Sequence, residues 1–232
     1  MSEKTYDVYG IGNAIIDLQL QVADADIQRF GMKKGAMQLV DTTAQKALLE
    51  HFHGQNLNQA SGGSAANTMI AIAQLGGRAA YGCLVGDDSF GSFYLEEMAQ
   101  LGIDVATAPL EDSMTGTCVI LITPDAERTM NTHLGASAQF SAQHVHEPAI
   151  AAAEWLYVEG YLFASEEGRQ AAKRAIALAK SHGTKVALTV SDGFIVEVFG
   201  RVLRTAVKSA DLVFANLTEA QLFTGIEFSG AP

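Results

Sequence analysis

The second half of the chain alternates between short apolar strands and longer helices, and this alternation restricts the fold more than any other feature. After residue 139 the pattern predicts, in order, a strand at Trp155–Glu159, a helix at Glu166–Ser181, a strand at Lys185–Val190, a helix at Val196–Ser209 and a strand at Asp211–Ala215. Helices of this length between strands are typical of a mostly parallel sheet. The sequence therefore predicts an α/β fold with helices on both faces of a mostly parallel sheet.

The first half contains strands of a second kind. Ile16, Leu18 and Leu20 alternate with polar residues, and this period of two predicts a half-exposed strand. The dipeptide Pro124-Asp125 predicts the turn of a hairpin between two further strands. We expect a small, one-sided β-sheet lid with strands at approximately 14–22, 35–41 and 115–131, within one domain that spans 1–232.

Composition excludes several classes of function. The chain has 232 residues, of which 48% are hydrophobic, so it is long enough to bury a large core. Its net charge of −11 argues against binding to nucleic acid or to an anionic membrane, because both need a basic surface. Two lone cysteines, Cys83 and Cys118, and a polar N-terminal stretch predict a cytoplasmic protein.

The segment Gly10-Ile11-Gly12 follows a predicted strand but does not indicate a dinucleotide-binding site. That motif needs a third glycine where this chain has Ile15, and it needs a helix where these residues alternate as a strand. Asn13 and Asp17 are better candidates, because they follow the end of a strand, where ligands bind in open α/β sheets. The alternative is that Asp17 is one solvated residue of an alternating strand, and spacing alone favours this alternative.

A glycine pair, Gly62-Gly63, stands just before a predicted helix that begins near Ser64. Glycine lets the backbone come close to a ligand, and Asn67 in the first turn can both donate and accept hydrogen bonds with a polyhydroxylated molecule. The alternative is a helix start that uses small residues for close packing.

Near the end of the sequence, Asn216 and Glu219 stand one turn apart where a strand ends and a helix is predicted to begin. An amide and a carboxylate in this arrangement suit the oxygen chemistry of Mg²⁺ and phosphate. They would equally form an N-cap and capping box, and the two interpretations are compatible. Another acidic pair, Glu96-Glu97, is most simply interpreted as surface charge on a helix.

Taken together, these segments resemble the ribokinase-like sugar and nucleoside kinases, the PfkB family, and most strongly its adenosine-kinase-like branch. The resemblance runs from Tyr6 to the end of the chain. Five stretches carry it in the expected order: GIGNAIID at 10–17, SGGSAAN at 61–67 with Gly76-Gly77 behind it, GCLVGDDSFG at 82–91, ERTMNTHLGAS at 127–137, and NLTE at 216–219.

The resemblance implies a role for each candidate residue. Asn13 and Asp17 would bind hydroxyl groups of a sugar or ribose, and Gly62, Gly63 and Asn67 would complete that pocket. Arg128 would approach the substrate or the transferring phosphate, while Asn216 and Glu219 would organise Mg²⁺ and the phosphates of ATP. The implied reaction is ATP-dependent phosphorylation of a primary hydroxyl, and the exposed lid strands favour a homodimer through the lid.

The family also carries a catalytic base in a C-terminal Asp-Thr-x-Gly-Ala-Gly-Asp-like motif, and this sequence has no counterpart to that motif or to the adenine-binding segment. We therefore expect either a fragment of a longer kinase or a truncated product whose activity is doubtful. The competing hypothesis is a non-catalytic protein that binds a sugar or nucleoside through the acceptor pocket alone.

Overall fold

The computed structural model describes residues 4–55 and 57–227, so residues 1–3, 56 and 228–232 of the predicted domain lie outside the described part. Eleven strands occur in that part: β1 Tyr6–Ile11, β2 Ile15–Gln21, β3 Met37–Leu39, β4 Asn58–Gly62, β5 Ala79–Gly82, β6 Asp104–Val105, β7 Gly116–Ile122, β8 Arg128–His133, β9 Ala153–Val158, β10 Lys185–Thr189 and β11 Leu212–Phe214. Its eight α-helices are α1 Asp24–Arg29, α2 Thr42–His51, α3 Ser64–Gln74, α4 Ser89–Gln100, α5 Glu147–Ala151, α6 Glu166–Ser181, α7 Gly193–Val207 and α8 Leu217–Thr224.

Six strands form a parallel sheet in the order β11-β10-β9-β1-β5-β6. Alternate residues of β9 face opposite sides: Leu156 and Val158 join a core with α5, α6 and α7, and Tyr157 joins a core with α3 and α4. Helices thus cover both faces, and the predicted fold class is confirmed. No helix in the described part of the chain combines the length and apolar character needed to cross a bilayer.

The other five strands form a second, mixed sheet in the order β3-β8-β7-β2-β4. Strands β2, β3, β7 and β8 lie at the predicted lid positions, whereas β4 was not predicted. Its sequence, Asn-Gln-Ala-Ser-Gly, lacks β-branched and aromatic residues, so its strand conformation depends on antiparallel pairing with β2. One face of this sheet, which includes Ile16 and Leu18, packs in the same core as Leu48 of α2.

One end of the second sheet lies beside the carboxyl edge of the parallel sheet, because only Gly12–Ala14 separate β1 from β2. The start of β2, the end of β4 and the start of β7 lie in one row, because Ile15 pairs with both Gly62 and Gly116. The end of β8 lies beside this row, since His133 pairs with Thr117. At the opposite end, Arg128 pairs with Ile122.

Strand β11 is an edge of the parallel sheet, and its three apolar residues, Leu212, Val213 and Phe214, are all exposed. Helix α7 adds exposed Phe194 and Val198 to the apolar surface of this part of the chain. An exposed apolar edge strand is a site of intermolecular pairing.

We expect the 232-residue chain to self-associate through β11. Val213→Lys should shift the sedimentation-velocity distribution toward monomer, because it places a charge on the edge strand. Leu75→Lys is the matched control, since Leu75 is 89% exposed at the end of α3, outside β11. A wild-type chain that sediments as a single monomeric species, or an equal shift in both variants, would argue against this interface.

Candidate functional site

The direction of the strand order reverses between β1 and β9. The chain continues from β1 to β5 on one side of β1, and it returns on the other side as β9. Ile11 and Val158, the last residues of β1 and β9, are register partners, so both strands end at the same edge. Open α/β sheets bind ligands outside the carboxyl ends of the strands at such a reversal of strand order.

Asn13 lies directly beyond β1 at this edge and is buried. Its carbonyl oxygen accepts a hydrogen bond of 2.9 Å from the Tyr81 hydroxyl and also contacts Gly63. Gly63 has a φ of +103° and leaves no room for a Cβ against that oxygen, so both conformation and space require glycine here. The predicted residues Asn13 and Gly63 are therefore neighbours.

Asp17 and Gly62 form a second close pair, on the paired strands β2 and β4. A Cβ built on Gly62 would lie 2.6 Å from Oδ2 of Asp17, so the carboxylate occupies the space that any other residue would fill. The sequence predicted that the glycine pair lets the backbone approach a ligand. In the structure, the two glycines make room for groups of the chain itself, the Asp17 carboxylate and the Asn13 carbonyl.

The electrostatic environment of Asp17 balances burial against a nearby cation. Burial raises the pKa of the Asp17 carboxyl above its usual range, and the positive charge of Arg128 opposes that rise. Cys118 on β7 is the register partner of Asp17 on β2, and burial raises the pKa of the Cys118 thiol to about 11. Arg128 itself is exposed at the start of β8. Asp17 is thus a half-buried carboxylate within the electrostatic influence of the exposed Arg128 guanidinium, and not a fully solvated strand residue.

Asn67 lies in the first turn of α3, where its backbone N–H donates to the Gly63 carbonyl at 2.9 Å. It is exposed, close in the chain to the glycine pair. The structure therefore places Asn13, Asp17, Gly62, Gly63 and Asn67 around the point where β1 leads into the second sheet and β4 leads into α3.

Asn216 and Glu219 form the predicted capping box at the start of α8. Oδ1 of Asn216 accepts from the Glu219 N–H at 2.8 Å, and Oε2 of Glu219 accepts from the Asn216 N–H at 2.9 Å. The Asn216 side-chain amide also donates to Oε1 of Glu219 at 2.8 Å. Burial raises the pKa of the nearby Tyr161 hydroxyl, and the charges of Asp192, Glu159 and Glu219 add to that rise.

Asn216 and Glu219 could fill only part of the coordination shell of a magnesium ion. They supply amide and carboxylate oxygens, which suit Mg²⁺, but each is also engaged by the other. Among residues 4–55 and 57–227, no cluster of three or more Asp, Glu, His or Cys could hold a metal ion. Magnesium usually keeps several waters and takes phosphate oxygens as ligands. Asn216 and Glu219 therefore fit a hydrated magnesium–phosphate group and not an all-protein metal site.

Several contributors to the site were missed from the sequence. Glu159, at the end of β9, is fully buried and accepts from the Asn13 N–H at 2.8 Å. Glu97 was interpreted as surface charge, which is wrong, because its Oε2 accepts from the Ser61 N–H at 2.8 Å on the outer edge of β4. A carboxylate at the end of an apolar strand was the available signal for Glu159, whereas nothing in the local pattern distinguishes Glu97.

The family model described as pfkB family carbohydrate kinase matches residues 32–230 of the chain. The chain belongs to the PfkB family. This confirms the resemblance that the motifs indicated.

Similar proteins include both nucleoside and sugar kinases. The PfkB-family chain is 26% identical over 228 residues to the guanosine-inosine kinase of Escherichia coli K12, covering 94% of this chain and 52% of that protein. It thus spans about half the length of this relative. The crystal structure of adenosine kinase from Sinorhizobium meliloti matches with a TM-score of 0.83 and 36% identity, over 96% of this chain and 68% of that chain. A probable sugar kinase from Rhizobium etli matches with a TM-score of 0.84 and 32% identity, over 97% and 68%.

Gly63→Ala should destabilise this PfkB-family chain more than Gly54→Ala. Both glycines have positive φ, which costs an L-residue roughly 1–3 kcal/mol, but a Cβ at Gly54 meets nothing within 4 Å. At Gly63 the new Cβ would also displace the Asn13 carbonyl. Urea unfolding would measure the two free energies of unfolding, and equal losses would contradict the contact with Asn13.

Asp17→Asn should raise the free energy of unfolding at pH 7. Because burial raises the pKa of Asp17 in the folded chain, its charged form lowers stability above that pKa, and this cost disappears below the unfolded value of about 3.9. The gain should therefore shrink as the pH falls through the folded-state pKa of Asp17 toward about 3.9. Glu127→Gln, an exposed carboxylate on the same sheet's hairpin, is the control in urea unfolding. A loss of stability in Asp17→Asn at pH 7 would contradict the burial argument.

Proposed function

We propose that this chain forms the acceptor-binding part of a kinase that transfers a phosphoryl group from ATP to a primary hydroxyl of a nucleoside or sugar. The observation that carries the proposal is the half-buried Asp17 carboxylate, seated against Gly62 beside Asn13 and Gly63 where the strand order reverses. A carboxylate and an amide at such a reversal of strand order suit a ligand rich in hydroxyl groups.

Each residue would contribute to holding the acceptor. The Asp17 carboxylate would accept hydrogen bonds from hydroxyl groups, and its burial limits competition from water. Asn13 and Asn67 would supply amide groups, while Gly62 and Gly63 keep the backbone close. Positioning of this kind supplies much of the rate enhancement in phosphoryl transfer, because the reaction needs an in-line approach of the hydroxyl.

The phosphate end of the site would lie toward Asn216, Glu219 and Arg128. ATP with Mg²⁺ supplies the transferable phosphoryl group when it is bound. The oxygens of Asn216 and Glu219 would accept hydrogen bonds from water molecules of the hydrated metal, since magnesium usually keeps several of its waters. Arg128 would offset the negative charge of the phosphate, and its exposed guanidinium already acts on the Asp17 carboxylate.

A nucleoside is the acceptor that we favour, because two of the similar proteins are a guanosine-inosine kinase and an adenosine kinase. The similarity to a probable sugar kinase keeps simple sugars in the comparison. In this proposal the second sheet acts as the lid over the acceptor, and residues 1–232 all belong to the kinase domain.

The proposal extends to assembly and location. Met37 and Leu39 on β3, the outer strand of the second sheet, are exposed apolar residues, and they support a homodimer through this sheet. Leu39→Lys in the sedimentation measurement would locate that interface. Both cysteines, Cys83 and Cys118, are free and buried, which agrees with a reducing cytoplasm.

Calorimetric titration with adenosine, ribose and fructose tests the acceptor site directly. We expect the wild-type chain to bind adenosine. Asp17→Ala should lose that binding, because the variant lacks the carboxylate that accepts hydrogen bonds from the ribose hydroxyl groups. Glu219→Ala should retain adenosine binding and weaken only the effects of added magnesium–ATP. Equal loss of adenosine binding in both variants would contradict this division of roles.

An ATP-coupled assay separates the kinase from the alternative, a non-catalytic binding protein. Phosphorylation of the bound acceptor by the 232-residue chain would exclude the alternative. Failure of the wild-type chain to bind any of the three acceptors would contradict the proposed function itself.

A further inference from the structure

The side chain of Glu159 joins two separate segments of the proposed acceptor site. Its Oε2 accepts a hydrogen bond of 2.8 Å from the Asn13 N–H, just beyond β1. Its Oε1 accepts one of 3.2 Å from the Ala65 N–H and another from the Ser64 hydroxyl, both in the first turn of α3. One fully buried carboxylate therefore spans the gap between the end of β1 and the start of α3.

The environment provides a reason for a carboxylate at this position. The first N–H groups of a helix have no partner within the helix, and its N-terminus favours negative charge. Burial raises the pKa of Glu159, and the hydrogen bonds from Ser64, Asn13 and Ala65 oppose that rise. The donors that stabilise the charged form thus come from the two segments that the side chain joins.

The neighbouring residues leave little freedom for the carboxylate to move. A Cβ built on Gly12 would lie 2.7 Å from Oε2 of Glu159 and 2.9 Å from the Tyr81 hydroxyl. The Tyr81 hydroxyl donates to the carbonyl of Asn13, so the Asn13 backbone is held from both sides. This close approach requires glycine at position 12. The packing of Glu159 and Tyr81 therefore accounts for Gly12 without a bound dinucleotide.

We infer that Glu159 is a positioning residue of the acceptor site, which holds Asn13 and the start of α3 at the spacing that the acceptor hydroxyls require. The inference rests on the proposed function, because the two segments that Glu159 joins carry Asn13, Gly63 and Asn67. Glu159 acts through these residues, and its two oxygens are engaged by donors of the protein itself.

Glu159→Gln tests the inference with little change in volume. The glutamine side chain has an NH₂ group where the glutamate has its second oxygen. That NH₂ group would meet an N–H or hydroxyl donor of the protein, so either the Asn13 segment or the start of α3 must shift. We expect the dissociation constant for the acceptor that the wild-type chain binds among adenosine, ribose and fructose to rise roughly 10- to 100-fold, as small misplacements of binding groups do. Glu154→Gln, on the exposed side of the same strand, should leave it unchanged.

Ser64→Ala provides a second variant in case Glu159→Gln folds poorly. It removes one of the three hydrogen bonds to the carboxylate and should weaken acceptor binding less than Glu159→Gln does. Amide proton chemical shifts of Asn13 and Ala65 report on the two backbone bonds without any ligand. We expect these shifts to change in both variants and to stay constant in Glu154→Gln.

Three results would overturn the inference. Unchanged acceptor affinity with altered amide shifts and lower stability would mean that Glu159 serves the fold alone. Lower affinity with unchanged amide shifts would mean that it contacts the acceptor directly. A wild-type chain that binds no acceptor would contradict the proposed function and the inference together, whereas the first two results concern Glu159 alone.

Discussion

The chain passes from the parallel sheet into the second sheet within Gly12–Ala14, and the buried backbone groups of this passage must all find partners. The N–H of Asn13 donates to Glu159, and its carbonyl accepts from Tyr81. The N–H of Ala14 donates to the Ser137 hydroxyl at 3.0 Å, and the single proton of that hydroxyl lies within reach of the carbonyls of Ala14 and Leu84. Side chains from β9, β5 and the segment after β8 thus fix the position of one short connection. The rest of the site is arranged around it.

The net charge of −11 does not leave the carboxylates near the proposed acceptor site without partners. The acidic groups near the site have separate local tasks. Glu159 bonds to backbone amides, Glu219 completes a helix cap, and Asp17 lies within the electrostatic influence of Arg128. Two of these three carboxylates are therefore engaged mainly by the protein, and Asp17 is the one whose partner is an exposed side chain.

The strand and helix pattern of the second half could be predicted from sequence because both periods are regular there. The predicted helix at Glu166–Ser181 agrees with α6 at both ends. Strand β4 could not be predicted, because its polar and small residues carry no strand signal and its conformation depends on a partner distant in sequence. Helix α2 has a local cap, since the Asp41 side chain accepts from the Ala44 N–H at 2.8 Å.

Of the site residues, the sequence indicated those that stand beside glycines or at strand ends. It could not indicate Glu159 or Glu97 as supports, because a buried carboxylate is recognised by its partners, and these partners are more than thirty residues away in the chain. The capping role of Asn216 and Glu219 was predicted because that contact is local and depends on spacing alone.

The strand order of the second sheet has a consequence for the two charges. Asp17 lies on β2, and Arg128 lies on β8, where it pairs with Ile122 of β7. Strand β7 is therefore the link between the two side chains. A one-residue slip in the pairing of β7 with β8 would move Arg128 by about 3.3 Å along the sheet and turn its side chain to the opposite face, while Asp17 stayed in place.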